Sequence, residues 1–158
     1  MNFVNLLFPE RIRCGVHVTS KNRCLEVLGA LLAQTEGEGE RMDRTIFEHL
    51  IGRERLGSTG LGKGVALPHA RVDSIDEARS ALIKLDQPVD FDAIDKQPVD
   101  LLFALIVPKH FTDEHLRILA ALAELFSDHA FCGRLRASQT AEEMYRHIID
   151  LQTNPRDS

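Results

Sequence analysis

The feature that most constrains the fold is the segment 99–107, which is apolar at every position except Asp100. It is strand-sized, and far shorter than the roughly 20 residues that a membrane-spanning helix needs. Because polar residues do not alternate along it, the segment is typical of a central strand covered on both faces. Pro108 ends it, since proline cannot donate to a sheet.

Segments with apolar residues at helical spacing flank this strand on both sides in the sequence, and most begin at a residue that can cap a helix. The predicted helices cover 21–34 after Ser20, 43–55 from Asp43, 113–127 after Thr112 or Asp113, a short piece near 130–137, and a final segment after a Thr140–Glu143 capping box. In the third helix we expect a buried stripe of Leu116, Leu119, Leu122, Ala123 and Phe126. Further strands are predicted at 16–19, 65–67 and 81–85. Helices between strands predict an α/β fold, a mixed sheet flanked by helices on both faces.

Length and composition predict one domain over 1–152, followed by a flexible tail at 153–158. A formal charge of −5 argues against general nucleic-acid binding. No apolar run is long enough for membrane insertion. The three cysteines form no C-x-x-C pair, which favours reduced thiols and a cytoplasmic location. Between Pro88 and Pro98 we expect a turn-rich segment anchored by Phe91 and Ile94.

Four glycines fall within residues 57–64. Glycine is costly unless the backbone turns left-handed or approaches something closely, so the cluster suggests a phosphate-sized cradle of N–H groups. Residues 57–63 fit the nucleotide P-loop G-x-x-x-x-G-K, but Gly64 stands where Ser or Thr would hold magnesium. A helical pattern precedes the glycines and a strand-like segment follows them, which is the reverse of a P-loop. A nucleotide site is therefore disfavoured.

His69 follows the strand-like segment and Pro68, so we expect it to project from a strand end, where α/β sheets place ligand sites. Residues 53–71 hold four basic side chains and one acidic side chain: Arg53, Arg55, Lys63 and Arg71 against Glu54. An imidazole, a cluster of N–H groups and several cations suit transient bonding of a phosphoryl group to nitrogen.

These residues also carry a resemblance. Residues 53–60 (RERLGSTG) and 64–69 (GVALPH) resemble enzyme IIA of the bacterial phosphotransferase system, of the fructose/mannitol/nitrogen type. Residues 91–95, 98–105 and 114–116 continue the match over nearly the whole chain, and the nitrogen-regulatory subtype is the most similar. Ala70 departs from the glycine usual after the histidine, which removes backbone freedom but no chemistry.

The resemblance implies an α/β sandwich of the mannitol/nitrogen type in which His69 is the phosphorylated nucleophile, modified at Nε2. His115 would lie against it at a helix N-terminus. Phosphate contacts are predicted for Arg53, Ser58, Thr59 and Gly60. A docking rim is predicted from Leu61, Lys63, Ala66, Ala70 and Arg71.

Structural rather than functional roles stay open for several of these residues. His115 could be a satisfied core histidine, Arg53 could cap the end of its helix, and Lys63 and Arg71 could be solvated charges. Asp100 is expected to be structural, and His49 to be solvated. No acid or cysteine completes a zinc site with the two histidines, so neither a metal nor another cofactor is expected.

By the resemblance, the phosphoryl donor is the histidine phosphocarrier protein, charged from phosphoenolpyruvate by enzyme I. No enzyme IIB domain follows within the 158 residues, which favours a regulator whose phosphorylation state is read by target proteins. The alternatives are a sugar-pathway carrier with a separate enzyme IIB, and a binding module without catalytic function.

Overall fold

A computed structural model describes residues 6–33 and 40–153, and within them a six-stranded mixed sheet is packed between helices. The strands are β1 (Ile12–Val16), β2 (Gly60–Gly62), β3 (Val65–Ala66), β4 (His69–Val72), β5 (Arg79–Val89) and β6 (Val99–Pro108). The helices are α1 (Lys21–Leu32), α2 (Glu40–Glu54), α3 (Asp113–Phe126), α4 (His129–Ala137) and α5 (Ala141–Thr153), with a short 3-10 helix at Pro9–Arg11.

β6 is the central strand, as predicted, and only Asp100 along it is not buried. The sheet order is β1-β5-β6-β3-β2, and β4 also pairs with β6. β5 runs antiparallel to β6, whereas β3 and β4 both run parallel to it. β3 and β4 therefore follow one another along the same edge of β6, with Leu67 and Pro68 between them.

Alternate residues of β6 enter two separate cores, which is the physical basis of the sandwich. On one face, Leu102, Ala104 and Ile106 pack with α1 and α2 residues such as Leu28 and Leu50. On the other face, Leu101, Phe103 and Leu105 pack with α3 to α5 residues such as Leu122, Phe131 and Met144. The predicted fold class is confirmed.

Several element boundaries differ from the predictions. β1 lies at Ile12–Val16 rather than 16–19, because its pairing with β5 runs from Ile12 beside Leu82 to Val16 beside Leu85, with a register shift between Cys14 and Val16. β5 extends through Pro88 to Val89, where Val89 pairs with Val99. α2 begins at Glu40, so Asp43 lies inside the helix rather than capping it. The predicted tail lies outside the described residues, apart from Thr153 at the end of α5.

Ile94, predicted as an anchor, and Leu116, predicted as part of a buried stripe, are both exposed. Ile94 is 91% exposed, and Phe91 alone of the pair is buried. Leu116 is 64% exposed, and Ile118 takes the buried position in α3 beside Leu122 and Phe126. Tertiary packing decides which side of α3 is covered, because Ile118, Leu122 and Phe126 lie in the core cluster formed with β6.

Other expectations hold. Ser20 caps α1 by accepting a hydrogen bond from the Arg23 N–H at 3.2 Å. At α5 the Thr140 hydroxyl accepts a hydrogen bond from the Glu143 N–H, as the predicted capping box requires. The Glu143 carboxylate accepts from the Gln139 N–H, whereas in a complete capping box it would accept from the Thr140 N–H. Over the described ranges, none of the helices combines the length and apolar character needed to cross a bilayer.

Candidate active site

His69 lies at the break between β3 and β4. The Pro68 carbonyl accepts from the Leu105 N–H at 2.9 Å, and His69 then pairs with Leu105 as β4 begins. The prediction that His69 projects from the end of the preceding strand needs correction, because His69 is the first residue of a new strand. Because Pro68 has no N–H to donate, the hydrogen bonding of this segment to β6 is interrupted directly before His69.

The His69 ring is held in one orientation by its own backbone. Nδ1 lies 2.8 Å from the Leu67 carbonyl oxygen, which can only accept, so Nδ1 carries the proton. In the neutral ring Nε2 then has a free lone pair. Burial lowers the pKa of His69 below 6.5, and the charge of Arg53 lowers it further, while the Leu67 carbonyl and Glu54 oppose the shift. The ring is therefore neutral near pH 7, with a lone pair available on Nε2.

His115 lies beside His69, as predicted, although it comes from the first turn of α3. The two ring centroids are 5.5 Å apart, with the ring planes inclined at 50°. Burial lowers the pKa of His115, as do the charges of His69, Arg71 and Arg53. Its buried Nδ1 has no hydrogen-bond partner among the described residues, so the alternative that His115 is a core histidine with satisfied hydrogen bonds is not supported.

Both histidines line a cavity of about 690 Å³ between the end of α2 and the start of α3. Three cations contribute to its wall: Arg53, Arg71 and Lys109. Asp113 is the acidic residue in the wall, in the first turn of α3. The helix N-terminus adds partial positive charge from its backbone N–H groups. The cavity is therefore suited to an anion such as a phosphoryl group.

Arg53 combines the two roles that the sequence left open. Its Nη1 donates to the Gly57 carbonyl at 2.9 Å, which stabilises the C-terminal end of α2. The same side chain lines the cavity and acts on both histidines. Capping and contact with an anion are compatible here, since a guanidinium has five N–H donors.

The predicted cradle at residues 57–60 is not found at His69, because its polar groups have other partners. The Ser58 hydroxyl donates to the Phe91 carbonyl at 2.6 Å and accepts from the Gly60 N–H at 3.0 Å. The Thr59 N–H and hydroxyl both donate to the Glu54 carboxylate. Ser58, Thr59 and Gly60 do not line the cavity. The positively charged groups that line the cavity are instead the cations Arg53, Arg71 and Lys109 and the start of α3.

Gly60 and Gly64 allow close packing and a left-handed turn at the tight hairpin that joins β2 and β3. A Cβ at Gly60 would lie 2.7 Å from the Ala93 Cβ, and one at Gly64 would lie 2.6 Å from Arg136 Nη2. Gly64 also has φ +83°. Close approach and a left-handed turn explain these glycines, which the sequence had suggested were a phosphate cradle.

The predicted rim residues divide into two groups. Ala70 and Arg71 line the cavity. Leu61 is exposed on β2, Ala66 is buried in the core, and Lys63 lies on the hairpin turn with its N–H bonded to Asp95 at 2.8 Å. None of these three lines the cavity. The exposed apolar edge of the cavity is formed instead by Leu56 and Leu116, which are 84% and 64% exposed.

Sequence reasoning missed two side chains of the cavity. His49 was expected to be solvated, yet it lines the cavity one helical turn before Arg53, with Nδ1 2.8 Å from the Thr45 carbonyl. The i, i+4 spacing of His49 and Arg53 was the available signal. Lys109 follows the end of β6 and carried no local signal.

The structure also bears on Asp100 and on metal binding. Asp100 is structural, as expected, because its carboxylate pairs with Arg136 through contacts of 2.9 to 3.1 Å. Across residues 6–33 and 40–153, no group of three histidines, cysteines or acids is placed to hold a metal ion.

Comparison with protein families identifies the class. The model of the phosphoenolpyruvate-dependent sugar phosphotransferase system, EIIA 2, matches residues 5–150, so the chain belongs to this family.

Relatives in the family point to one branch of it. The chain is 44% identical to the nitrogen regulatory protein of Pseudomonas aeruginosa over 147 residues, covering 93% of this chain and 94% of the relative. It is 41% identical to the nitrogen regulatory protein of Escherichia coli over 153 residues, covering 96% and 91%.

Solved structures agree with this placement. Nitrogen regulatory protein IIA-Ntr from Neisseria meningitidis superposes with a TM-score of 0.84 at 40% identity, over 91% of this chain and 97% of that one. IIA mannitol from Escherichia coli has a TM-score of 0.74 at 21% identity, over 90% and 98%, and shows the shared fold. The resemblance inferred from the sequence is therefore confirmed.

Proposed function

We propose that this protein carries a phosphoryl group on His69 Nε2, accepts it from a histidine phosphocarrier protein, and serves a regulatory role of the nitrogen type. The observation that carries the proposal is the bond from His69 Nδ1 to the Leu67 carbonyl, which leaves Nε2 unprotonated in a cavity walled by three cations. Family membership supports the same chemistry.

The reaction needs little from the protein beyond position and charge. The Nε2 lone pair forms a bond to phosphorus while the donor's N–P bond breaks, and the donor imidazole keeps that electron pair. No base is needed, because Nε2 carries no proton. Phosphoryl transfer has a loose transition state with charge on three equatorial oxygens, so positioning and electrostatics dominate catalysis. Arg53, Arg71 and Lys109 are placed to offset that charge.

A regulatory role is favoured over sugar transport by the pattern of similarity. The relatives of 44% and 41% identity are named nitrogen regulatory proteins. The fructose-specific EIIA component of Haloferax volcanii is 30% identical over 75% of this chain. Proteins that read the phosphorylation state of His69 would be the targets, in the cytoplasm where phosphoenolpyruvate and the phosphocarrier are found. Leu56 and Leu116, beside the cavity, offer apolar contacts for docking.

The test is phosphorylation in a reconstituted system of labelled phosphoenolpyruvate, enzyme I and the phosphocarrier. Wild-type protein should gain acid-labile phosphate, and His69→Ala should gain none. His17→Ala is a matched control, since His17 is exposed and does not line the cavity. If wild type gains no label, the carrier proposal fails and a binding module remains. Efficient transfer from the labelled protein to enzyme IIB proteins would instead indicate the sugar pathway.

A further inference from the structure

Glu54 is an acid buried beside the candidate active site, and nothing in the proposed reaction uses it. The residue is 7% exposed and directly follows Arg53. Its carboxylate accepts hydrogen bonds from the Thr59 N–H at 3.1 Å and from the Thr59 hydroxyl, and it pairs with Lys21 Nζ at 2.9 Å. A buried carboxylate needs such partners, because removal from water is otherwise costly.

Lys21 connects this carboxylate to two further parts of the fold. It is the first residue of α1, and its Nζ donates to the Phe91 carbonyl at 3.4 Å. The same ammonium lies 4.8 Å from the centroid of the Phe91 ring. It also lies 3.6 Å from the exposed carboxylate of Asp92. Glu54 therefore joins the start of α1, the end of α2 and the segment before β2.

A series of contacts leads from Glu54 to the nucleophile. Glu54 holds Thr59 by its N–H and its hydroxyl. The Thr59 carbonyl accepts from the Leu67 N–H at 3.0 Å. The Leu67 carbonyl accepts from His69 Nδ1 at 2.8 Å. Leu67, whose carbonyl selects the tautomer of His69, is therefore connected by hydrogen bonds through Thr59 to the buried Glu54 carboxylate.

The charge of Glu54 also acts on His69. Burial is the main cause of the lowered pKa of His69, Arg53 lowers that pKa further, and Glu54 raises it. Adjacent residues of α2 therefore have opposite effects on the nucleophile. The other titratable or charged groups lining the cavity are His49, Arg71, Lys109, Asp113 and His115.

We propose that Glu54 is a positioning residue for phosphoryl transfer, acting through Thr59 and Leu67 to hold His69 with Nδ1 bonded and Nε2 free. Its effect on the transfer rate rests on the proposed function. Its effect on the tautomer and titration of His69 does not, and can be measured without any phosphoryl donor.

The experiment compares Glu54→Gln with wild type by following the His69 ring nitrogens by NMR during a pH titration. The amide keeps the size of the side chain but removes the charge. We expect a smaller share of the Nδ1–H tautomer, a lower pKa of His69, and phosphoryl transfer about 10- to 100-fold slower, as for a misplaced reacting group. Asp92→Asn is the matched control, because it also removes a carboxylate near Lys21 and should leave all three values unchanged.

A second pair of variants keeps the proposal testable if Glu54→Gln does not fold. Thr59→Ser retains both donors to Glu54, and Thr59→Val retains only the N–H. Thr59→Ser should behave as wild type, and Thr59→Val should change the tautomer of His69 and slow transfer. The proposal is overturned if the tautomer and titration of His69 in folded Glu54→Gln and Thr59→Val are the same as in wild type, or if Asp92→Asn changes them as Glu54→Gln does. If wild type takes no phosphate, the proposed function fails, while the NMR result still decides the role of Glu54.

Discussion

The imidazole rings of His69 and His115 lie with centroids 5.5 Å apart, although one begins a strand and the other belongs to the first turn of a helix. They are not equivalent. His69 Nδ1 is bonded to the Leu67 carbonyl, whereas the buried Nδ1 of His115 has no partner among the described residues. Under the proposed function the anchored ring is the nucleophile, and its neighbour is placed to contact the phosphoryl oxygens.

This difference predicts unequal effects of the two alanine substitutions. His115→Ala should still accept phosphate on His69, about tenfold or more slowly, because one contact to the transition state is lost. His69→Ala should accept none. Rates of labelling from the charged phosphocarrier measure both, and equal loss in the two variants would contradict the division of roles.

The lowered pKa of His69 sets the pH dependence of transfer. In the proposed reaction neutral imidazole is the nucleophile, so the rate should stay level as the pH falls below 6.5 and decline only near the lowered pKa. Initial rates of acceptance between about pH 5 and 8, with a pre-charged donor, give the profile. A decline centred above pH 6.5 would show that His69 is easier to protonate than the structure indicates.

The same shift predicts how stability changes with pH. The folded state binds protons less readily at His69 and His115 than the unfolded chain, since both pKa values are lowered. Stability is therefore lost as the pH falls from about 6.5 through the lowered values, in addition to the losses from carboxylates at lower pH. Urea unfolding of wild type and of the His69→Ala, His115→Ala double variant should show a weaker pH dependence in the variant.

Arg53 should matter for transfer more than for folding. Arg53→Ala removes a donor from the cavity, and we expect about 100-fold slower acceptance. It also removes the bond to the Gly57 carbonyl, a loss of about 1 kcal/mol of stability. Arg53→Lys should restore part of the rate, since the charge is kept without the planar fork. Arg55→Ala is the control, because Arg55 is exposed and does not line the cavity; an equal rate loss there would refute a specific role.

Gly64 is predicted to contribute to stability and not to chemistry. A Cβ there would lie 2.6 Å from Arg136 Nη2 and 3.0 Å from Asp100 Oδ1, at φ +83°. Gly64→Ala should therefore destabilise the protein by about 1–3 kcal/mol. Gly52→Ala, in α2 with nothing within 4 Å of the added Cβ, should stabilise it by up to about 1 kcal/mol. Thermal unfolding measures both, and transfer per folded molecule should be unchanged at Gly64→Ala.

Much of the fold was predictable because local rules decide it. The apolar segment 99–107 indicated a strand covered on both faces, and two helix caps and the periodic stripes located the helices to within a few residues. The position of His69 in the cavity was also predictable, since the glycines, Pro68 and the surrounding cations lie near it in the sequence; its reactivity stays a proposal. The boundaries of β1 and β5 were not, because pairing with distant strands extends or ends them.

The sequence by itself determined the class of protein, the layered architecture and the residue proposed to carry the phosphoryl group. Only the tertiary structure decided which polar groups meet. It paired Thr59 with Glu54 rather than with the cavity, and it brought His49 and Lys109 to the site. It also left Leu116 exposed. Hydrogen bonds and charge pairs depend on the distances between separate elements after packing, and local sequence patterns do not contain those distances.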